Sequence, residues 1–353
     1  MSTASTTTPD ISNLSLQLEK ERRSVGVDVY DFAVRQLLDM IENDEINIAP
    51  EYQRKFVWLA DRQSEFIESV FLGIPTPSLF MATNPNSTWE VVDGVQRLST
   101  LIHFCGNEKQ RQKQPNTEHP LVLEGLEKLA NFNGSTFAKL PKSIQLLFNN
   151  RPMRITTLND RSDLKVRFDL FERLNSGGVK LQPQEIRNCV YRGPFNETLK
   201  ELAKHPNFRK VVKVKASDRS NGTQEEFVLR FFAFFENYKQ FDHSVDGFLN
   251  SYTEAANAAG QKTSVRSRFE ETFAFLAGEL PKGITRGRNL TPANLFEAVA
   301  VGTALVFAAG GVPKKGVLKK LLNDDGLKRL TSGGTNSNPM VRGRIELVRD
   351  RLQ

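Results

Sequence analysis

Every β-strand signal in this 353-residue sequence lies before about residue 195, and the remainder patterns as helix. The expected fold class is therefore α+β: an N-terminal domain with a small mixed sheet, followed by an all-α C-terminal region. Strands are read at 46–48, 79–82, 89–92 and 154–158. Apolar periodicity predicts a helix over 29–41 with Asp28 as its cap. A second, capped by Asp61, carries Phe66, Ile67, Val70 and Phe71 and is stopped by Gly73, Pro75 and Pro77. Leu98, Leu101, Ile102 and Cys105 mark a helix closed by Gly106, and the polar stretch 107–120 reads as a loop. Helices follow at 164–174, capped by Ser162, at 185–188, and over 225–238, 267–280, 293–310 and 314–330. The domain reading is a tail at 1–23, an α+β domain at 24–195 and a helical domain at 196–353, with a soft boundary at 195–220.

Charge separates the same regions. Residues 1–100 hold 8 Lys/Arg against 15 Asp/Glu, and residues 101–353 hold 40 against 26. A positive field over the later part attracts phosphate, through nucleic acid or nucleotides, unless those lysines are only a solvated surface. Lys210, Lys213, Lys215 and Arg219 are the nucleic-acid candidates around the turn at 220–222, with Arg286, Arg288, Arg342 and Arg344 further on. Cys105 and Cys189 read as buried free thiols of a reducing cytoplasm, and His103, His119, His205 and His243 lack metal-ligand spacing. No apolar run is long enough to span a membrane, and the Ser/Thr-rich start lacks the pattern of a secretion signal.

The most informative unit is a strand, a tight turn and a helix: Trp89 to Val92, then Asp93-Gly94-Val95-Gln96-Arg97, then the apolar stripe from Leu98. With Gly94 at the cap, the first backbone amides of the helix and its dipole form an anion site that a phosphate can approach closely. Arg97 can fork onto phosphate oxygens, Asp93 can hold a metal ion, and Gln96 can position water. The alternative is an ordinary Asp-Gly turn with a surface arginine. Two companion segments bear on that choice. In 50–58, Tyr52, Gln53 and Arg54 stand beside Phe56 and Trp58, a composition that suits either a base pocket or simple core. In 171–188, Arg173 and Asn175 precede Gly177 and Gly178, which suit a helix end.

These three ordered segments, with Leu72-Gly73-Ile74-Pro75-Thr76-Pro77 between the first two, resemble the N-terminal domain of GmrSD-type restriction systems, over about 46–188. The resemblance implies a ParB/sulfiredoxin-like core and an Asp-Gly-Gln-Gln-Arg signature for nucleotide binding and hydrolysis, falling here on Asp93, Gly94, Gln96 and Arg97. It departs at Val95, where the family has Gln, which puts hydrolysis in question more than phosphate binding. It further implies an NTP with Mg²⁺ as cofactors, a cytoplasmic role in phage defence, and a separately encoded nuclease or modification-system partner. A nuclease partner of this kind brings a His-containing metal site, which residues 200–353 do not supply, so cleavage by this chain alone is not expected. Two functions remain open from sequence: a nucleotide-binding protein with NTPase activity, and a DNA-binding or modified-DNA-sensing module that breaks no bond.

Overall fold

The computed structural model describes residues 14–16, 18–19, 26–48, 56, 58–84, 86–114, 117–158, 164–174, 182–219, 221–259, 263–287, 289–334 and 336–353. Contacts divide the chain into two compact units, 1–180 and 181–353.

The first unit opens with strand β1 (Val27–Ala33) and helix α1 (Val34–Glu42). Here the structure corrects the sequence reading, which ran one helix from 29 through 41 with Asp28 as cap. Val27, Val29 and Tyr30 favour extended backbone, and the whole strand finds a partner, pairing antiparallel from Val27 opposite Leu158 to Ala33 opposite Pro152. The helical stripe starts only where Val34, Leu37, Leu38 and Ile41 turn inward. Next come β2 (Ile46–Asn47), α2 (Ala60–Leu72), β3 (Leu79–Thr83), β4 (Trp89–Asp93), α3 (Val95–Cys105), α4 (Glu108–Gln112), α5 (Lys142–Asn149), β5 (Pro152–Leu158) and α6 (Leu164–Leu174). Two further corrections arise here. Leu59, not Asp61, occupies the cap of α2, so Asp61 falls in the first turn, facing the positive end of the helix dipole. Part of the expected 107–120 loop is helical, because Asn107 and Gln110 form a reciprocal capping box.

The sheet is mixed, in the order β1-β5-β3-β4-β2, with β5/β3 and β4/β2 parallel and the other pairs antiparallel. Leu79, Met81, Val91 and Ile155 point from it into the core, where Ile67, Leu98, Leu101 and Ile102 meet them without solvent exposure. Phe71, Phe104 and Phe148 close that core, with ring centroids 4.6–6.0 Å apart. Burying so many large apolar side chains, at about 1.5–3 kcal/mol each, fixes the strand and helix on either side of the Gly94 turn.

The second unit is helical, and no strand occurs in it among the described residues. It contains α7 (Pro183–Val190), α8 (Pro194–Ala203), α9 (Pro206–Val211), α10 (Thr223–Asn237), α11 (Val245–Ala259), α12 (Thr263–Glu279), α13 (Ala293–Phe296), a π-helical turn (Glu297–Val301), α14 (Gly302–Ala308), α15 (Val317–Leu321), α16 (Asp325–Thr331) and α17 (Asn338–Leu352). The Phe-rich α10 is core: Phe231 meets Phe269 and Phe273 at 5.3 and 5.6 Å, all three fully buried. The expected helix over 314–330 is two helices, because the Asp324 carboxylate caps the second by accepting from the Leu327 amide.

The division also falls earlier than the 195 boundary read from sequence. Helix α7 belongs to the second unit, since the fully buried Arg187 donates to Asn250 at 2.8 Å and to Glu226 at 3.1 Å, and also to Asp246.

Candidate functional site

Strand β4 delivers Asp93 to a turn whose centre, Gly94, has φ +107°, ψ 9°. A side chain here would be strained by the left-handed backbone, and its Cβ would lie 2.4 Å from the Leu79 side chain. The close approach of β3 therefore demands glycine at this position. Helix α3 begins directly after it with no side-chain cap and no acidic residue in its first turn, leaving the positive end of its dipole at the β4 terminus.

Arg97 sits one turn into α3 and is 8% exposed. Its guanidinium donates to the Asp93 carboxylate at 2.8 Å, to the Ser78 carbonyl at 3.3 Å, and to the Pro77 carbonyl. Burial pulls its pKa below the usual arginine value, with Asp93 opposing that shift. The side chain thus ties the start of β3 to the end of β4. The Asp93 carboxylate keeps 43% of its side-chain surface open to solvent.

Gln96 faces the other way and accepts a hydrogen bond from the Trp58 amide at 3.1 Å. Gln63 completes the grip by donating to the Trp58 carbonyl at 2.8 Å. His103 then sits 2.7 Å from the Gln63 side-chain oxygen and 2.8 Å from the His119 carbonyl. Phe56 is buried edge-on to His103 at 6.2 Å, and Trp58 packs against Phe66 at 5.9 Å with Arg62 over its ring at 4.9 Å. Burial lowers the His103 pKa, and the hydrogen bond to His119 works against that shift.

The structure therefore brings Asp93, Gly94, Gln96 and Arg97 together and joins the end of the aromatic segment to them. Tyr52, Gln53 and Arg54 lie outside the described residues, as do Asn175 and Ser162. Arg173 is exposed near the end of α6, and among the described residues no hydrogen bond joins it to the turn. Sequence reasoning missed Gln63 and His103. The signal was available in part: Gln96, Thr100 and His103 share one polar face of α3 at i, i+4 and i+7, opposite its apolar stripe.

Among the described residues no three His, Cys, Asp or Glu side chains cluster to hold a metal ion. Mg²⁺ needs only one or two protein carboxylates when phosphate oxygens complete its shell. Asp93, half-open and with one oxygen on Arg97, fits that demand.

Of the basic candidates, Lys210, Lys215 and Arg219 are exposed and Lys213 is half-buried. Arg344 is fully buried against Glu297 and Arg286 is spent on the Leu322 carbonyl and Thr331, so neither is placed to meet an external polyanion. Arg342 is exposed and donates to the Lys239 carbonyl at 2.6 Å, while Arg288 lies outside the described residues. Both cysteines are free thiols, and burial pushes that of Cys105 far up, which leaves it unreactive. Among the described residues no helix is long and apolar enough to cross a membrane.

No curated protein and no solved structure matches the chain. A family model does match, over a stretch that holds the sheet strands β2 to β5, the Gly94 turn, Arg173 and α7. Residues 34–192 of this chain match the family model of the GmrSD restriction endonuclease, N-terminal domain.

Proposed function

We propose that this chain is a nucleotide-binding module of a restriction-type phage-defence system, with slow Mg²⁺-dependent NTP hydrolysis at the β4–α3 turn. The family match supports the defence role. The observation that carries the chemistry is the uncapped start of α3 behind a side-chain-free Gly94, next to a carboxylate that is still open to solvent. In this reading the Gly94 turn takes phosphate and Asp93 takes the divalent ion. Arg97 and Gln96 act as positioning residues: the first holds Asp93 and the 77–78 carbonyls, the second fastens Trp58 to the edge of the site. Val95 contributes methyl groups where the family has an amide, which accounts for slow turnover. A nuclease or a modification-system protein is the partner expected of such a module.

Phosphate release from each NTP with Mg²⁺ tests this. Asp93→Asn and Arg97→Ala are each expected to lower turnover by about a hundredfold, in the range seen when a positioned charged group is removed from an active site. Thermal melts of both variants must show a folded protein. Turnover in both equal to that of the unaltered chain ends the proposal.

A second reading, DNA binding without catalysis, draws on Lys210, Lys215 and Arg219, which are exposed and form no ion pair among the described residues. Duplex affinity that falls steeply with salt supports it, and a flat salt dependence removes it.

A further inference from the structure

The second unit holds a cavity of about 300 Å³ that the Asp93 turn does not use. Lys213, Lys215 and Arg230 line it, together with the carboxylates of Asp218 and Glu226 and the apolar Phe227, Leu290 and Ala293. Lys213 is built in. Its amide donates to the Thr291 hydroxyl at 2.8 Å and its carbonyl accepts from the Thr291 amide at 2.8 Å. Its side-chain stem passes over Gly283, where a Cβ would lie 3.0–3.1 Å from it. Neither Lys213 nor Lys215 has an ion-pair partner among the described residues.

Arg230 is set differently. Its Nε and Nη2 donate to Glu226 at 3.0 and 2.8 Å, and its Nη1 to Glu297 at 2.6 Å. A guanidinium has five N–H donors, so these three bonds leave two for a ligand. Glu297 is fully buried, also binds Arg344, and begins the π-helical turn, a rare backbone form that concentrates at functional sites. Arg187, Arg230 and Arg344 are balanced there by Glu226, Glu297 and Asp246. The surplus positive charge of the cavity thus comes from its two lysines, against the single carboxylate of Asp218.

We propose that this cavity is a second ligand site, for a small phosphorylated molecule of nucleotide size, in the unit that does not carry the Gly94 turn. Lys213, Lys215 and the spare Arg230 donors take the phosphate. Phe227, Leu290 and Ala293 pack against an apolar or aromatic body, and Asp218 accepts from N–H or O–H groups such as a nucleoside presents. The volume lies at the lower end of the range for small-molecule pockets. Concavity and the carboxylates in the wall disfavour an extended DNA backbone, which needs an open basic stripe.

Calorimetric titration of the full chain with the four nucleoside monophosphates, inorganic phosphate and a short duplex tests the site. At least one monophosphate is expected to bind saturably, and inorganic phosphate more weakly. The Lys213→Ala/Lys215→Ala double variant should weaken that binding roughly ten- to hundredfold, as for loss of hydrogen bonds from charged groups. Ala293→Trp should block it by filling the cavity without altering charge. Arg97→Ala should leave it unchanged, which separates this site from the Gly94 turn. The proposal is overturned if no monophosphate binds, if the lysine variant binds as well as the unaltered chain, or if only the duplex is held through these lysines.

Discussion

The two units house arginine in opposite ways. In the first, the Arg97 guanidinium rests on two backbone carbonyls and on one carboxylate that remains 43% open, and burial drags its pKa down. In the second, burial works equally against Arg230, but Glu226 and Glu297 more than offset it and hold its pKa above the ordinary value. One arrangement leaves a carboxylate accessible and spends an arginine on holding a turn. The other spends its arginine on two carboxylates, of which Glu297 is fully buried and Glu226 largely so. A site that must hold a metal ion needs an open carboxylate of the first kind, whereas the second kind fixes a guanidinium in place with donors to spare. Buried ion pairs are weak evidence for net stability, but removing one partner is costly because the remaining charges stay buried.

That asymmetry predicts where damage is greatest. Glu297→Ala leaves Arg230 and Arg344 facing each other without their shared carboxylate. We expect a loss of about 3–5 kcal/mol in denaturant unfolding of the second unit. Asp93→Asn, at a carboxylate 43% open to solvent and with an amide oxygen left to accept from Arg97, should cost about 1 kcal/mol or less. Equal losses at the two positions would erase the distinction between a closed network and an open turn.

Gly94→Ala probes the turn without touching charge. The new methyl meets Leu79, itself fully buried, at 2.4 Å, on a backbone at φ +107°. Strain and overpacking together should cost about 1–3 kcal/mol, and nucleotide turnover should fall with it as β3 is pushed from α3. A variant of unchanged melting temperature would mean that the turn relaxes freely and is no fixed cradle.

Much of this was legible in the residues. The Trp89 strand, the Gly94 turn and the α3 stripe follow from local rules, because β-branched residues, a Gly and a 3.6-residue period all point one way. Strand β1 was hidden, since five of its seven residues are exposed and its partner β5 lies more than a hundred residues away. Its residues 29–33 therefore looked like the start of the α1 stripe. The role of Arg97 was hidden for a related reason. Sequence shows a guanidinium one turn from a glycine, but the Pro77 and Ser78 carbonyls that claim it arrive through the β3–β4 pairing. Likewise Arg344 read as surface charge, and only the packing of α17 on the π-helical turn buries it against Glu297.

The smallest expected effect sharpens the comparison inside the second unit. Glu225 and Glu226 are neighbours in the first turn of α10, yet their carboxyls are shifted in opposite directions. Burial pushes Glu226 up, but Arg230 and Arg187 bring it below the ordinary value. Burial also pushes Glu225 up, and there it prevails over Lys200, Lys204 and Arg209, leaving one buried carboxylate oxygen without a hydrogen bond. An acid whose pKa is raised by folding stabilises the fold while protonated, below its unfolded value of 4.5, and loses that contribution as pH rises through the folded value. At neutral pH the charged Glu225 is therefore a net cost. Glu225→Gln should raise the melting temperature at pH 7.5 by about 1–3 °C, and the gain should shrink as pH falls through the raised folded value and be gone below about 4.5. A gain that is the same at every pH would assign the effect to packing, and no gain at all would place Glu225 inside the paired network with its neighbour.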